Sequence, residues 1–428
     1  MEKNKISLFT AIILNINIII GGGFFLGAQG IAKSSGSLAP LCWVMWGLIF
    51  LPLVLVLAKL SNLYPLAGGP YVYSKKALGS FWGLVSGWGY FIGTIAGHAA
   101  LIHALSGLII DFGFEPMLHK IGLNHFALDI ILILFFTALN LANVNFLAKT
   151  QLLFALLKTI PLLAVIIASF FLFKFQNIVQ STANFSGFFE SIPFVIFAFL
   201  GIEVCCTIAH QIKNGKKNTG KAILISFFLI MGIYTLIQFC LLGIHGTIDI
   251  NPFLEIFPKL FYQNNIINIA TRITALCILS SYLGGFYSAL YANNWVLHSI
   301  AASEKIPFKN SLKKVNTYNV PWVVLIIQAI ITVIFLTITQ EIFYLVTMTT
   351  FATVIMYLLC SISFAKLYAK KKDLKRVFIG TLATLSCSYL IFVSCKELME
   401  KGLQYIVPFL VIMGIGILLG RCTKTPRR

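Results

Sequence analysis

Apolar runs of about twenty residues, long enough to cross a bilayer as a helix, recur about twelve times along this chain. They are expected at 7–31, 38–60, 81–110, 126–145, 150–174, 191–211, 220–244, 265–299, 320–339, 342–366, 376–395 and 403–420. The third and eighth exceed what a bilayer needs and should tilt. Only 11% of the residues are charged and 59% are hydrophobic, against roughly 25% charged in a soluble domain. The fold class expected is an all-α polytopic membrane protein. The start, "MEKNK" followed by an apolar run to Ile31, is too long for the core of a signal peptide and reads as the first span.

The net charge of +19 lies in short basic clusters between apolar runs, so it speaks of topology and not of nucleic acid. With the N-terminus placed in the cytoplasm, 24 of the 32 Lys and Arg residues fall inside, seven fall outside and Lys158 falls in mid-membrane. This asymmetry predicts an even number of spans and both termini cytoplasmic. A cell (inner) membrane location is expected. The nine cysteines are scattered with no CxxC pair, so neither a disulfide framework nor a zinc site is expected. No metal or cofactor is expected. HExxH, GxSxG and Walker motifs are absent, which argues against an enzyme.

The first span carries Ile18–Phe25, "IIIGGGFF". Each glycine inside a helix costs about 1 kcal/mol relative to alanine. The sixth span has a second weak point, Phe197–Glu203, "FAFLGIE". Paired interruptions in two halves of a chain point to a transporter site near the bilayer midplane. Unwound backbone frees N–H groups that can bind a carboxylate, and such backbone is tolerated only where it lines a cavity. The competing reading is that Gly21, Gly22 and Gly23 let helices approach closely. A channel would need a continuous filter instead of paired breaks.

These residues resemble the amino acid–polyamine–organocation transporter superfamily over most of the chain. "IIGGGFF" resembles its "IGSGIF", and "YPLAGGPYVY" (Tyr64–Tyr73) its "P-x-x-G-G-x-Y-x-Y" loop. "FAFLGIEVCCTIAHQIKN" (Phe197–Asn214) resembles "F-x-G-x-E … K-N-P". "HSIAASEKIP" followed by "KKVNTYNVP" (His298–Pro321) resembles the motif after helix 8. Within the superfamily, "FIGTIAG" (Phe91–Gly97) and "MYLLC" (Met356–Cys360) are most similar to the basic amino acid/polyamine antiporters. The resemblance implies alternating access and an inverted five-plus-five repeat with discontinuous helices 1 and 6, followed by two C-terminal helices. The implied organisation is a ten-helix core, 1–366 (repeats 7–174 and 191–366), then 367–428 with the basic tail. The implied substrate-binding residues are Ile20, Gly21, Gly22, Gly23, Thr94, Gly97, Phe197, Ala198, Gly201, Phe286 and Tyr287, and Tyr357 joins the gating groups. The chain departs from the pattern in having Gly22 for serine, His210-Gln211 for an acidic pair, and Trp295 where relatives often have arginine.

Two ionisable residues lie inside spans. Glu203, just past the second break, matches the family glutamate tied to proton-dependent gating; the alternative is a structural hydrogen bond. Lys158 looks like the fifth-helix lysine of proton-coupled members, whose ammonium stands where sodium-coupled relatives hold sodium. Snorkelling is the alternative, yet at nine residues past Lys149 it lies about 13 Å deep. His98 and His103, five apart, do not share a helical face, so a metal pair is not expected; His98 falls near the pocket. Asn293, Asn294 and Trp295 suit interhelical bonding.

The expected activity is secondary amino-acid transport, with exchange of a cationic amino acid for its decarboxylated amine (arginine/agmatine type) as the specific version. The alternative is proton-coupled symport of neutral or broad-range amino acids, which Lys158 favours. The expected partners are an amino acid, a polyamine or amine, protons and the lipid bilayer, with a homodimer left open.

Overall fold

The computed structural model describes residues 5–110, 122–142, 144–246, 253–304 and 306–401, with isolated positions 120, 407, 411, 414 and 418. Apart from those positions, the expected twelfth span and basic tail lie outside the described residues, as do residues 1–4. Among the described residues, eight helical stretches are long and apolar enough to cross a membrane. Three shorter apolar helices, Leu8–Ile19, His125–Asn140 and Trp322–Ile338, accompany them.

The first span is two helices, α1 (Leu8–Ile19) and α2 (Gly22–Ser35). Ser7 caps α1, its hydroxyl accepting from the Thr10 amide at 3.1 Å. The spans that follow are α3 (Ala39–Leu63), α5 (Ser80–Ile109), α6 (His125–Asn140) and α7 (Val144–Leu172), with α4 (Gly69–Leu78) between α3 and α5. Two short helices, α8 (Phe175–Gln180) and α9 (Phe185–Glu190), lead to the sixth span. That span is also divided, into α10 (Ile192–Phe199) and α11 (Val204–Thr207). Then come α12 (Gly215–His245), α13 (Ile256–Leu260), α14 (Asn264–Ser303), α15 (Lys309–Leu312), α16 (Trp322–Ile338), α17 (Ile342–Ala369) and α18 (Leu374–Lys401). The all-helical, polytopic expectation and both interrupted helices are present.

The Tyr64–Tyr73 motif, expected as a loop, becomes helical from Gly69 onward. Its two glycines have a steric cause. Gly68 and Gly69 have φ of 79° and 21°, and a Cβ on Gly69 would lie 2.6 Å from the Cys206 carbonyl oxygen. Gly69 lets α4 sit directly on α11, and Gly68 lets the turn before it approach α14, where a Cβ would lie 2.4 Å from Ser299. A Lys75–Glu304 ion pair of 2.7 Å, with Tyr71 donating to the same carboxylate at 2.8 Å, fastens α4 to the end of α14.

Packing places α5 against α17, α14 and α4, and α12 against α3 and α1. Polar side chains join the spans. Asn293 donates to the Phe91 carbonyl at 3.0 Å and to Gln328 at 2.8 Å, and Gln328 in turn bonds Asn294. At the far end of α5, His103 Nδ1 meets Asp129 at 2.8 Å, Ser106 bonds Asp129, and the His125 ring stacks on His103 at 4.0 Å. His98 and His103 therefore have separate surroundings, as their spacing predicted. Along α7, Leu156, Ile160, Leu163, Ile167 and Phe170 form an exposed stripe at helical spacing. Lys158 lies off that stripe and is 1% exposed, which excludes snorkelling.

Candidate functional site

The site is built from two interruptions. In the first, α1 ends at Ile19, Ile20 leaves helical geometry (φ −75°, ψ 70°), and Gly21 (φ −104°, ψ −160°) opens α2. Of the three glycines, Gly21 forms the break, while Gly22 and Gly23 make the first turn of α2. The opening amides of a helix have no intrahelical acceptor, and here they are presented from residues without side chains. Gly22 also has a packing role: a Cβ there would lie 2.3 Å from the Tyr282 ring. The close-packing alternative thus holds at this position alongside the break.

In the second interruption, α10 ends at Phe199, Leu200 is extended (ψ 143°) and Gly201 takes φ 106°. Any L side chain would be strained there, and its Cβ would approach Ile18 to 2.6 Å. Glu203 turns back on this break. Its carboxylate accepts from the Gly201 amide at 3.1 Å, from the Tyr90 hydroxyl at 3.0 Å and from the Tyr357 hydroxyl.

The first break is bound from the opposite pole. Lys158 Nζ donates to the Asn17 carbonyl at 2.7 Å and to the Ile20 carbonyl at 2.5 Å. Ser281 adds a bond to Ile20 at 2.7 Å. A cation at the carbonyl end of a half-helix is where the helix dipole favours it. Tyr234 of α12 spans the two breaks, its hydroxyl lying 2.9 Å from the Ile19 carbonyl and 3.3 Å from that of Ala198. On the N-terminal side, Ile6 exchanges backbone bonds with Gln211 and Lys213 at 2.9 Å, so the two divided spans are joined again there.

Between the breaks lies a cavity of about 100 Å³. Of the expected residues, Gly21, Gly22, Gly23, Thr94, Gly97, Phe197, Gly201 and Glu203 line it. Ile20 and Ala198 stand behind it with their carbonyls bonded as described. Lys158 and Tyr357 reach the site only through their bonds to the breaks. Phe286 and Tyr287 do not line the cavity. Helix α14 turns Gly285 and Ala289 toward it, leaving Phe286 against His98 and Phe136, and Tyr287 against Phe136. Residues beyond the expected set also line it, among them Ile18, Tyr90, His98, Leu101, Thr349 and Thr353. Helical spacing from the named positions reaches these: Tyr90, Thr94, His98 and Leu101 share one face of α5, and Thr349, Thr353 and Tyr357 one face of α17.

The departures noted at His210 and Trp295 meet in space. Their rings pack edge to face at 4.4 Å, and His298 adds a third ring 5.3 Å from Trp295. An aromatic contact stands where the family pattern has charged residues.

The amino acid permease family model matches residues 6–418. The serine/threonine exchanger SteT of Bacillus subtilis (strain 168) is 26% identical over 351 residues, covering 79% of this chain and 77% of its own. The aromatic amino acid transport protein AroP of Escherichia coli (strain K12) is 26% identical over 332 residues, with 73% and 69% covered. AroP of Escherichia coli O157:H7 is 25% identical over 433 residues, with 93% and 91% covered. With its two divided spans, the cavity between them and a family match along nearly its whole length, the chain is a multi-pass membrane protein that belongs to the amino acid permease family, within the amino acid–polyamine–organocation superfamily.

Proposed function

We propose that this permease carries uncharged amino acids by alternating access, coupled to protons at Lys158 and Glu203. The observation that carries this reading is the charge inventory of the cavity. Among the described residues its one lining carboxylate is Glu203, and that group is already engaged by an amide and two tyrosine hydroxyls. A zwitterion needs only main-chain partners. The opening amides of α2, at Gly22 and Gly23, would take the substrate carboxylate. The carbonyl of Ile18, a lining residue at the end of α1, would take the ammonium. A cationic side chain would need a further free acid. The names of the two kinds of relative, an exchanger for serine and threonine and a carrier for aromatic amino acids, fit uncharged substrates.

The narrower expectation, exchange of arginine for agmatine, has Phe197 in its favour, an aromatic lining residue on which a cation could stack. The absence of a free lining carboxylate among the described residues ranks it second. The same reading retains the core of two repeats, 7–174 and 191–366, because the divided spans are first and sixth. It also retains an inner-membrane location, and cytoplasmic termini, the latter supported by the lysine and arginine asymmetry.

Liposome counterflow tests the proposal. Vesicles holding purified protein and unlabelled alanine, serine, leucine, phenylalanine or arginine are offered the labelled counterpart, with and without an inward proton gradient. Uptake of neutral substrates, increased by the gradient, is expected. Counterflow of arginine and agmatine alone would establish the second reading.

A further inference from the structure

His98 is 1% exposed, lines the cavity, and has no hydrogen-bond partner at either ring nitrogen. Its recorded ring contact is an edge-to-face packing on Phe286 at 5.3 Å. A buried polar group left without a partner is costly. Several polar groups around it are committed elsewhere. Thr94 donates to the Tyr90 carbonyl at 2.8 Å, Thr349 donates to the Gly93 carbonyl at 2.8 Å, and the Tyr90 hydroxyl is spent on Glu203. Of the lining residues, His98 is the one whose polar side-chain atoms are both buried and unpartnered.

Its place in the fold assigns it a role. The broken helices offer the groups that suit a carboxylate and an ammonium. His98 lies one turn beyond Thr94 on α5, on a wall completed by Gly97, Leu101, Gly285 and Ala289. Small residues there leave space beside the imidazole, and a cavity of about 100 Å³ limits what fits. A neutral imidazole has one donor and one acceptor nitrogen. A hydroxyl, which also donates and accepts, complements it; a methyl group does not.

Resting on the proposed transport of uncharged amino acids, we infer that His98 is the specificity residue of the side-chain subsite and selects short amino acids bearing a hydroxyl. The wild-type protein provides the first test. In proteoliposomes, kcat/KM is measured for serine against alanine and for threonine against valine, pairs that differ in a hydroxyl. A preference of about tenfold for the hydroxyl member of each pair is expected, the factor one net hydrogen bond to a buried partner supplies. In His98→Phe both ratios fall to about one. In His98→Gln, whose amide again donates and accepts, they stay above those of the Phe variant. Each ratio compares two substrates in the same vesicles, so the amount of folded protein cancels. Uptake by the wild type without a hydroxyl preference, or ratios unchanged in His98→Phe, overturns the inference while leaving transport standing. No uptake of any of the four substrates, with leucine or phenylalanine still carried, overturns the inference alone; refusal of leucine and phenylalanine as well overturns the transport reading with it.

Discussion

The two interruptions solve the same physical problem with opposite charges. At the first, the exposed groups that need partners are carbonyls at the end of α1, and a lysine from α7 donates to Asn17 and Ile20. At the second, an amide at Gly201 needs an acceptor, and a glutamate two residues on supplies it. The first solution comes from another span 141 residues away in sequence; the second is local, aided by tyrosines from α5 and α17. Disturbing the first should therefore disturb the packing of α7 on α1, whereas disturbing the second should act mainly on the break itself.

The largest effect is expected from Lys158→Ala. Removing the ammonium leaves the Asn17 carbonyl without its donor and leaves Ile20 with Ser281 alone. A buried polar group stripped of its partner costs about 1–3 kcal/mol, and the lost side chain adds a cavity. Proton-driven accumulation in proteoliposomes should vanish, and the thermal midpoint in detergent should fall. Full accumulation by this variant would remove Lys158 from coupling and reduce it to a packing cap.

Glu203→Gln should be milder. The carboxamide oxygen can still accept from the Gly201 amide, so the break keeps its shape, while the titrating group is gone. Uptake measured from pH 5 to pH 8 should lose most of its pH dependence, with the thermal midpoint close to that of the wild type. If the profile keeps its shape while the midpoint drops, Glu203 is a structural brace and the local solution has nothing to do with protons.

The contrast between the breaks also marks what the sequence makes legible. The interruptions were readable, because glycine and a buried acid in an apolar span each carry a local cost. The depth of Lys158 was readable from its distance to Lys149. Its partners were not, since a bond between Lys158 and residues 17 and 20 is a fact of tertiary packing. Tyr234 gave no sign either: it sits in an ordinary apolar run, and its role comes from where α12 lies. The aromatic expectations at Phe286 and Tyr287 failed to reach the cavity for a rotational reason. Gly285 and Ala289, four apart, hold the inward face of α14, so the two residues after Gly285 are turned away. His98 was placed near the pocket by its position on α5. That its nitrogens lack partners appears only once its neighbours are known.

The smallest effect, and the most discriminating for the comparison, belongs to Tyr234→Phe. The tyrosine hydroxyl is the point where the two solutions meet, between the Ile19 and Ala198 carbonyls. The ring itself is held independently. It stacks on Phe24 at 4.0 Å with planes 2° apart and packs on Trp43 at 4.8 Å, so phenylalanine should occupy the same volume. What is lost is one shared hydrogen bond, about 1 kcal/mol or slightly more for a buried pair of acceptors. Fold and lipid-facing packing should survive, with a small loss of thermal stability. Transport should respond differently if the breaks move as a unit. Without the hydroxyl, each is held only by its own partner, and the apparent affinity for substrate should weaken several-fold while the pH profile set by Glu203 keeps its shape. An unchanged affinity would mean that Lys158 and Glu203 each hold their own break without help, and that the two halves of the site are coupled only through the substrate between them.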